Sequence, residues 1–230
     1  MARKTVTQLL TSSLLAGAAF FGGGALGISP ALALEAGDIL VRVRGIGVLP
    51  TADSDGISPD LTTSMLEPQL AVVPELDLTY MATKNIGIEL ILATSPHDLD
   101  VTGALSALNK GADVWLLPPT LLVQYHFLPK GSIRPYVGAG VNYTITYSED
   151  ASASLEAALG GSTEIDSGNS WGWAVQAGVD IDLDDRWFVN LDVKYIAISV
   201  DTTITTGAVV RQTGVDINPV IVGFGVGYRF

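Results

Sequence analysis

His97 and His126 are the two histidines in this 230-residue chain, and imidazole is the side chain best suited to moving a proton or holding a metal near neutral pH. No cysteine is present, so thiolate nucleophiles, disulfides and zinc–thiolate sites are excluded. No H-x-x-x-H pair occurs, which removes the helical two-histidine zinc site. Sequence order alone permits a Ser/His/acid triad, but no serine stands in a G-x-S-x-G turn. His97, in Ser95-Pro96-His97-Asp98 at the expected start of a loop, and His126, on an expected strand, therefore read as hydrogen-bonded structural residues. Gly138-Ala139-Gly140 and Gly223-Phe224-Gly225-Val226-Gly227 look like pieces of nucleotide loops, but neither is a complete G-x-G-x-x-G between strand and helix. Glycines on alternate residues instead free space beside a strand. The chain reads as a non-enzyme without cofactor or metal.

A second set of polar residues is Arg42, Arg44, Glu75, Asp77, Glu89, Gln124, His126, Asp180, Asp192, Lys194 and Arg229. Each alternates with apolar neighbours. If the apolar rows face hydrocarbon, these side chains face inward, because Arg or Lys at mid-depth in lipid costs about 2–4 kcal/mol. They form either a structural ion network that fills the interior or the lining of a polar path. Pro118-Pro119 is a third feature. Proline cannot donate to a strand ladder, so the pair interrupts the fourth strand. It marks either a bulge or rim kink, or a gap in the wall. Leu116, Leu117, Leu121 and Leu122 around it, with Ile46, Val48 and Ile91 higher on the inward face, make an apolar route compatible with the second reading. Pro74 and Pro219 are placed to do related work.

The elements that must position these residues are strands. Hydrophobic residues make up 48% of the chain and charged ones 16%, against about 25% charged in ordinary soluble domains. Yet beyond the N-terminus no run approaches the roughly 20 apolar residues that a spanning helix needs. The N-terminus itself has the plan of a secretory signal: Arg3 and Lys4, an apolar stretch from Leu9 to Leu26, and Ala31-Leu32-Ala33 as an A-x-A cleavage pattern. Residues 1–33 are read as a removed leader and 34–230 as the mature protein. Losing Arg3 and Lys4 leaves 10 basic against 24 acidic residues, a balance that excludes nucleic acid as partner.

After Asp38, alternation with a period of two dominates. Val220, Val222, Phe224, Val226, Tyr228 and Phe230 share one face, opposite Ile221, Gly223, Gly225, Gly227 and Arg229. The same pattern covers Trp171–Leu183, Trp187–Tyr195 and Val137–Tyr147. Weaker versions cover about Asp38–Leu49, Leu70–Ala82, Ile86–Thr94 and Val114–Phe127. Links at Thr83-Lys84-Asn85, around Pro129–Ser132 and at Asp184-Asp185 are short. Those at Pro50–Pro68, Ser95–Asp113, Ser148–Ser170 and Asp201–Gly214 are long. Aromatics near strand ends, including Trp115, Tyr125, Tyr136, Tyr143, Trp171, Trp187 and Tyr228, suggest girdles at two membrane interfaces. The pattern predicts an all-β, eight-stranded antiparallel transmembrane barrel with short periplasmic turns and long extracellular loops. A soluble sandwich or lipocalin-like barrel, with the apolar face turned inward, explains the alternation but not the glycine-rich opposite face.

Several ordered segments carry a resemblance. They are Ala36–Gly45 with Leu49-Pro50, Glu75–Tyr80, Asn85–Leu90, Leu117–Leu121 with Gln124–Phe127, Arg134–Tyr143, Ile217-Asn218-Pro219 and Gly225–Phe230. Together they resemble the OmpW family of Gram-negative outer-membrane proteins over nearly the whole mature chain. The resemblance implies both termini in the periplasm and a narrow hydrophobic interior with a side opening into the bilayer. It also implies a function as a route or binding site for small hydrophobic molecules. Phe230 is similar to the C-terminal aromatic that the barrel-assembly machinery reads. Ser148–Ser170, rich in Ala and Ser, departs from the family pattern. The expected protein is a monomer whose partners are outer-membrane lipid, small hydrophobic solutes and the assembly machinery. Rival readings are a structural or receptor barrel without transport, and a barrel enzyme acting on lipid or peptide.

Overall fold

A computed structural model of the chain describes residues 33–51, 53–108 and 110–230, so the expected leader, Ala33 aside, lies outside the described residues. The elements run β1 (Ile39–Leu49), β2 (Asp53–Ser54), β3 (Leu66–Pro68), β4 (Ala71–Met81), β5 (Ile86–Ala93) and β6 (Ser95–Val101). A short 3-10 turn, Gly103–Leu108, leads to β7 (Lys110–Leu117), β8 (Thr120–His126) and β9 (Ile133–Ala151). Helix α1 (Ala153–Leu159) precedes β10 (Thr163–Ser167), β11 (Ser170–Asp182), β12 (Trp187–Ile196), β13 (Ser199–Thr206), β14 (Val209–Asp216) and β15 (Val220–Arg229).

Among the described residues, eight of these strands close a barrel. Each is antiparallel to its neighbours, in the order β1-β4-β5-β8-β9-β11-β12-β15 and back to β1. Arg42 pairs with Asp77 on one side and Gly227 on the other, which fixes the register of the closing strands. Closure leaves no open edge, the condition for a sheet to stand in hydrocarbon. β4 alternates buried and exposed residues without a break from Ala71 to Met81. On β15, Val222, Phe224 and Val226 are 52%, 59% and 45% exposed, while Ile221 is buried. The apolar rows therefore face outward, and the soluble alternative, with those rows inside, is excluded.

Aromatic pairs ring both ends. Tyr125 packs on Phe127 (5.2 Å between ring centroids) and Trp187 on Tyr228 (4.9 Å) near the short turns. Tyr143–Trp171 (4.6 Å) and Trp173–Tyr195 (5.3 Å) lie toward the opposite end. Tyr136 does not belong to this girdle. It shares inward parity with Arg134 and Gly138, is 1% exposed, and lies against His126. In the β11–β12 turn, Asp184 Oδ1 accepts from the backbone N–H groups of Arg186 (2.8 Å) and Trp187 (2.7 Å). These bonds hold its carboxyl below the usual range.

The long connections are mostly ordered structure rather than loop. Ser95–Asp113 forms β6 and the start of β7, and Asp201–Gly214 lies within the β13–β14 hairpin, turning at Gly207 with φ +58°. Ser148–Ser170 carries the end of β9, α1 and β10. Ser152 Oγ caps α1 by accepting from Leu155 N (3.1 Å), and Gly160 ends it in the left-handed region. Polar residues such as Thr202, Thr206 and Thr213 occupy buried positions in these extensions beside Ile204 and Val215, which blurs the hydrophobic alternation. The extracellular sheet β10-β13-β14-β2 also holds the segment between β2 and β3. Arg211 Nε and Nη2 each donate to Asp60, at 2.7 Å. That fork holds the Asp60 carboxyl below its usual range, so the contact persists until pH falls below that of an ordinary aspartate. Arg211→Ala is expected to speed protease cleavage within residues 51–66 by about twofold to fivefold, with the barrel's melting temperature unchanged; limited proteolysis beside a thermal melt checks this.

Candidate functional site

The inward faces of β1, β4, β5 and β12 each change character once along the strand. Toward the short turns they carry charge. Arg42 Nη2 lies 2.9 Å from Asp180 Oδ2 and its Nη1 3.3 Å from Glu89 Oε1, and Nη1 donates to Thr79 Oγ1 (2.7 Å). Arg44 Nη2 reaches Asp77 Oδ1 (2.6 Å) and Glu75 Oε1 (2.9 Å), and its Nη1 reaches Asp192 Oδ2 (2.9 Å). Lys194 joins Glu75 and Asp192. All these groups are buried. The guanidinium of Arg42 also sits 5.3 Å from the Tyr136 ring and 5.5 Å from the Phe188 ring, and Arg134, paired with Asp182, lies 5.7 Å over Phe188. Room for this packing comes from glycine. A Cβ at Gly225 would stand 2.6 Å from Arg44 Cα, and one at Gly227 would meet the Phe188 ring.

Two residues expected in this network sit at its margin. His126 makes no ion pair among the described residues; its Nε2 bonds Gln124 Oε1 (3.1 Å), which leads through Gln176 to Asp192. Arg229 lies at the turn end and bonds the Asp185 carbonyl. Sequence reasoning did not select Arg134, Asp182, Tyr136, Phe188 or Asn190. The inward parity of each was the available signal, because each alternates with lipid-facing neighbours.

Above the charged zone the lumen is mostly apolar, with Ser95, His97, Thr120, Asn142 and Thr144 as buried polar residues. A narrow chamber with a cavity volume of about 30 Å³ is lined by Ile46, Val48, Ile91 and Leu116 among the expected residues. Ile196, Ile198, Ile217, Pro219 and Ile221 complete the apolar lining. Glu75, at the top of the ion network, is also part of its wall. The same hydrophobic core continues upward through Ile57, Leu66, Val200 and Val215 between the extracellular strands.

The chamber meets a break in the barrel wall. The β5–β8 ladder ends at Ile91↔Thr120, and the β6–β7 ladder starts at Ser95↔Leu116. The register is the same on both sides, so Leu92-Ala93-Thr94 and Leu117-Pro118-Pro119 face each other without strand pairing. Asn142 takes up the freed carbonyls: the two hydrogens of Nδ2 are shared among Pro118 O (3.2 Å), Pro119 O (3.3 Å) and Thr120 Oγ1 (2.9 Å). Tyr143 N donates to Pro119 O (3.1 Å). Pro118 lines the chamber, whereas Leu117 turns outward into a lipid-side crevice with Val43, Pro74, Leu76, Leu92 and Thr94. Ala93 and Glu75 line both, so the wall there is one residue thick. Pro119 acts through its carbonyl and is not part of the chamber lining.

A closed eight-stranded barrel with an apolar, aromatic-ringed exterior and a charged, filled lower lumen is an outer-membrane β-barrel. Within that class the chain belongs to the OmpW family, whose family model matches residues 35–230. Outer membrane protein W of Vibrio cholerae is 36% identical over 209 residues, covering 90% of this chain and 94% of that one. The crystal structure of the outer membrane protein OprG from Pseudomonas aeruginosa is similar at a TM-score of 0.80 and 31% identity, covering 86% of this chain and 98% of OprG. The dibenzothiophene metabolism operon protein PahQ of Pseudomonas aeruginosa is 28% identical over 156 residues, covering 67% and 69%.

The ion network predicts an asymmetric response to substitution. Arg44→Ala leaves the buried Asp77 without its cation and Glu75 and Asp192 with Lys194 alone, and is expected to lower barrel stability by about 3–5 kcal/mol. Val193→Ala, on the lipid face, removes apolar atoms that gain nothing by leaving one hydrocarbon for another and should cost far less. Urea-induced unfolding in lipid vesicles measures both.

Proposed function

We propose that the upper chamber widens to bind small hydrophobic molecules and that the barrel passes them sideways into the bilayer through the interruption between β5 and β8. The observation that carries this reading is the position of the break. An apolar chamber ends below on a buried ion network and beside on an unpaired stretch of wall. An apolar solute moving down would have to displace paired charges in low dielectric, which is steeply unfavourable. Moving sideways, it stays against hydrocarbon throughout, and each CH2 kept from water is worth about 0.8 kcal/mol. Passive partition therefore supplies the driving force, and no cofactor is required. The dibenzothiophene operon in the name of PahQ fits an aromatic or aliphatic apolar cargo.

Leu116 and Pro118 then line the exit from within, Leu117 from the lipid side, and Pro119 keeps the ladder open. Ile46, Val48 and Ile91 form the resting site. Arg42, Arg44, Glu75, Asp77, Glu89, Asp192 and Lys194 close the floor. Entry from outside requires the segment held by Asp60 and Arg211 to move. The barrel acts as a monomer, and the exposed Phe230 at its last position serves as the signal to the assembly machinery.

The cysteine-free chain permits a direct test. Ala93→Cys with Pro118→Cys places two thiols across the gap, in the register that both flanking ladders share. Uptake of naphthalene by cells carrying this variant is expected to fall to the level of barrel-free cells when the bridge is oxidised and to return on reduction. Uptake that ignores the closed bridge overturns lateral exit. Deletion of Phe230 should lower the yield of folded barrel in cells while the purified chain still refolds in detergent; a normal cellular yield would reject the assembly role.

A further inference from the structure

Four residues lining the chamber carry polar side chains: Glu75, Ser95, His97 and Thr120. What each can still offer a guest follows from the bonds it already makes. Thr120 Oγ1 donates to the Pro118 carbonyl (3.0 Å) and accepts from Asn142 Nδ2 (2.9 Å). Glu75 is a carboxylate that gives Oε1 to Arg44 and Lys194, and it has no proton to donate in that state. His97, on β6 rather than in the loop expected there, uses both ring nitrogens. Nδ1 is 3.1 Å from the Gln69 carbonyl, and Nε2 is 2.7 Å from Ser95 Oγ.

A carbonyl oxygen only accepts, so Nδ1 carries the ring proton. In the neutral ring Nε2 then accepts, and Ser95 must be the donor. The one hydroxyl proton is spent, and the remaining lone pair of Ser95 Oγ meets no protein donor among the described residues. Ser95 is 4% exposed and His97 3%, so bulk water does not satisfy this oxygen freely. The chamber thus presents hydrogen-bond acceptors and no spare side-chain donor, inside walls that are otherwise hydrocarbon.

We infer that the chamber, once widened, prefers apolar molecules bearing one hydroxyl group, alcohols or phenols, whose O–H donates to Ser95 Oγ while the apolar body lies against Ile46, Ile91 and Leu116. His97 is a positioning residue: its imidazole orients the serine hydroxyl so that the lone pair faces the guest. The inference rests on the chamber being a solute site and adds the chemical class of the solute. An ether of equal size brings lone pairs against lone pairs and gains nothing at this point. A plain hydrocarbon leaves the serine oxygen unmatched. Discrimination by a buried polar group of this kind exceeds what apolar contact alone can give.

The test compares 2-naphthol with 2-methoxynaphthalene, which share a ring system but differ in whether they can donate. Saturable binding of each is followed by fluorescence with the full barrel in lipid nanodiscs, and empty nanodiscs are subtracted. The wild-type protein is expected to bind 2-naphthol about tenfold more tightly. Ser95→Ala alone would bare His97 Nε2, itself an acceptor, so the informative variant is Ser95→Val, which sets methyl groups over that nitrogen. It should bind both probes equally, at the affinity of the wild type for 2-methoxynaphthalene. Ser95→Thr, which restores the hydroxyl, should recover the preference. Equal affinities in the wild type overturn the donor-selective site, and a preference that survives in Ser95→Val overturns Ser95 as the acceptor in favour of the Glu75 carboxylate; both leave the chamber as a solute site. Failure of both probes to bind the wild type overturns the chamber reading, and the inference falls with it.

Discussion

A backbone in hydrocarbon must satisfy every N–H and C=O within the protein, because no water is present to do it. That constraint organises the molecule. Strands can meet it only by closing on themselves, and the pairing of β1 with both β4 and β15 is the closure. Once the sheet is closed, its period of two assigns every residue to lipid or lumen. Arg42 and Arg44 have no alternative to the interior, and their presence there obliges the neighbouring strands to bring carboxylates. The ion network follows from closure, and it fills a lumen too narrow to hold bulk water around it.

The same constraint makes Pro118-Pro119 informative. Two adjacent residues without N–H groups remove donors from a ladder that has no solvent to fall back on. The break survives because it is short, because the register resumes unchanged beyond it, and because Asn142 and Tyr143 on β9 supply donors to the proline carbonyls. The interruption is thus supported from the neighbouring strand rather than merely tolerated. A bulge would have shifted the register by a residue; this wall keeps its register and lacks only the backbone pairing.

Legibility in the sequence followed the same physics. Where lipid contact forces strict alternation, as in Val222, Phe224 and Val226 on β15, strand and facing could be read residue by residue. The ion network was readable for the same reason, since a charge between two lipid-facing residues has one place to go. Tyr136 was misread because an aromatic near a strand end suits a girdle by composition, and only its parity with Arg134 reveals the lumen. The extracellular strands were missed because water permits Thr, Ser and Asp on both faces, so the alternation of β13 and β14 is too weak to stand out. Leu117 was grouped with the inward route although adjacent residues on a strand point opposite ways. Ser95 and His97 were judged by motif, and their pairing needed β6 to exist before it could be seen.

The division of the lumen is written along single strands. On β1 the inward residues run Leu40, Arg42, Arg44, Ile46 and Val48, so charge gives way to hydrocarbon across Gly45. On β4 the change falls between Glu75 and Val73, on β5 between Glu89 and Ile91, and on β12 between Lys194 and Ile196. On β1 and β4 the two switches lie side by side, since Arg44 pairs with Glu75 and Ile46 with Val73. A barrel meant to hold a continuous polar pore would keep polar inward residues to its outer mouth, and a purely structural one could use a single kind of core throughout. Charge below, hydrocarbon above and the ladder broken beside the boundary together leave an apolar guest one downhill direction, which is sideways.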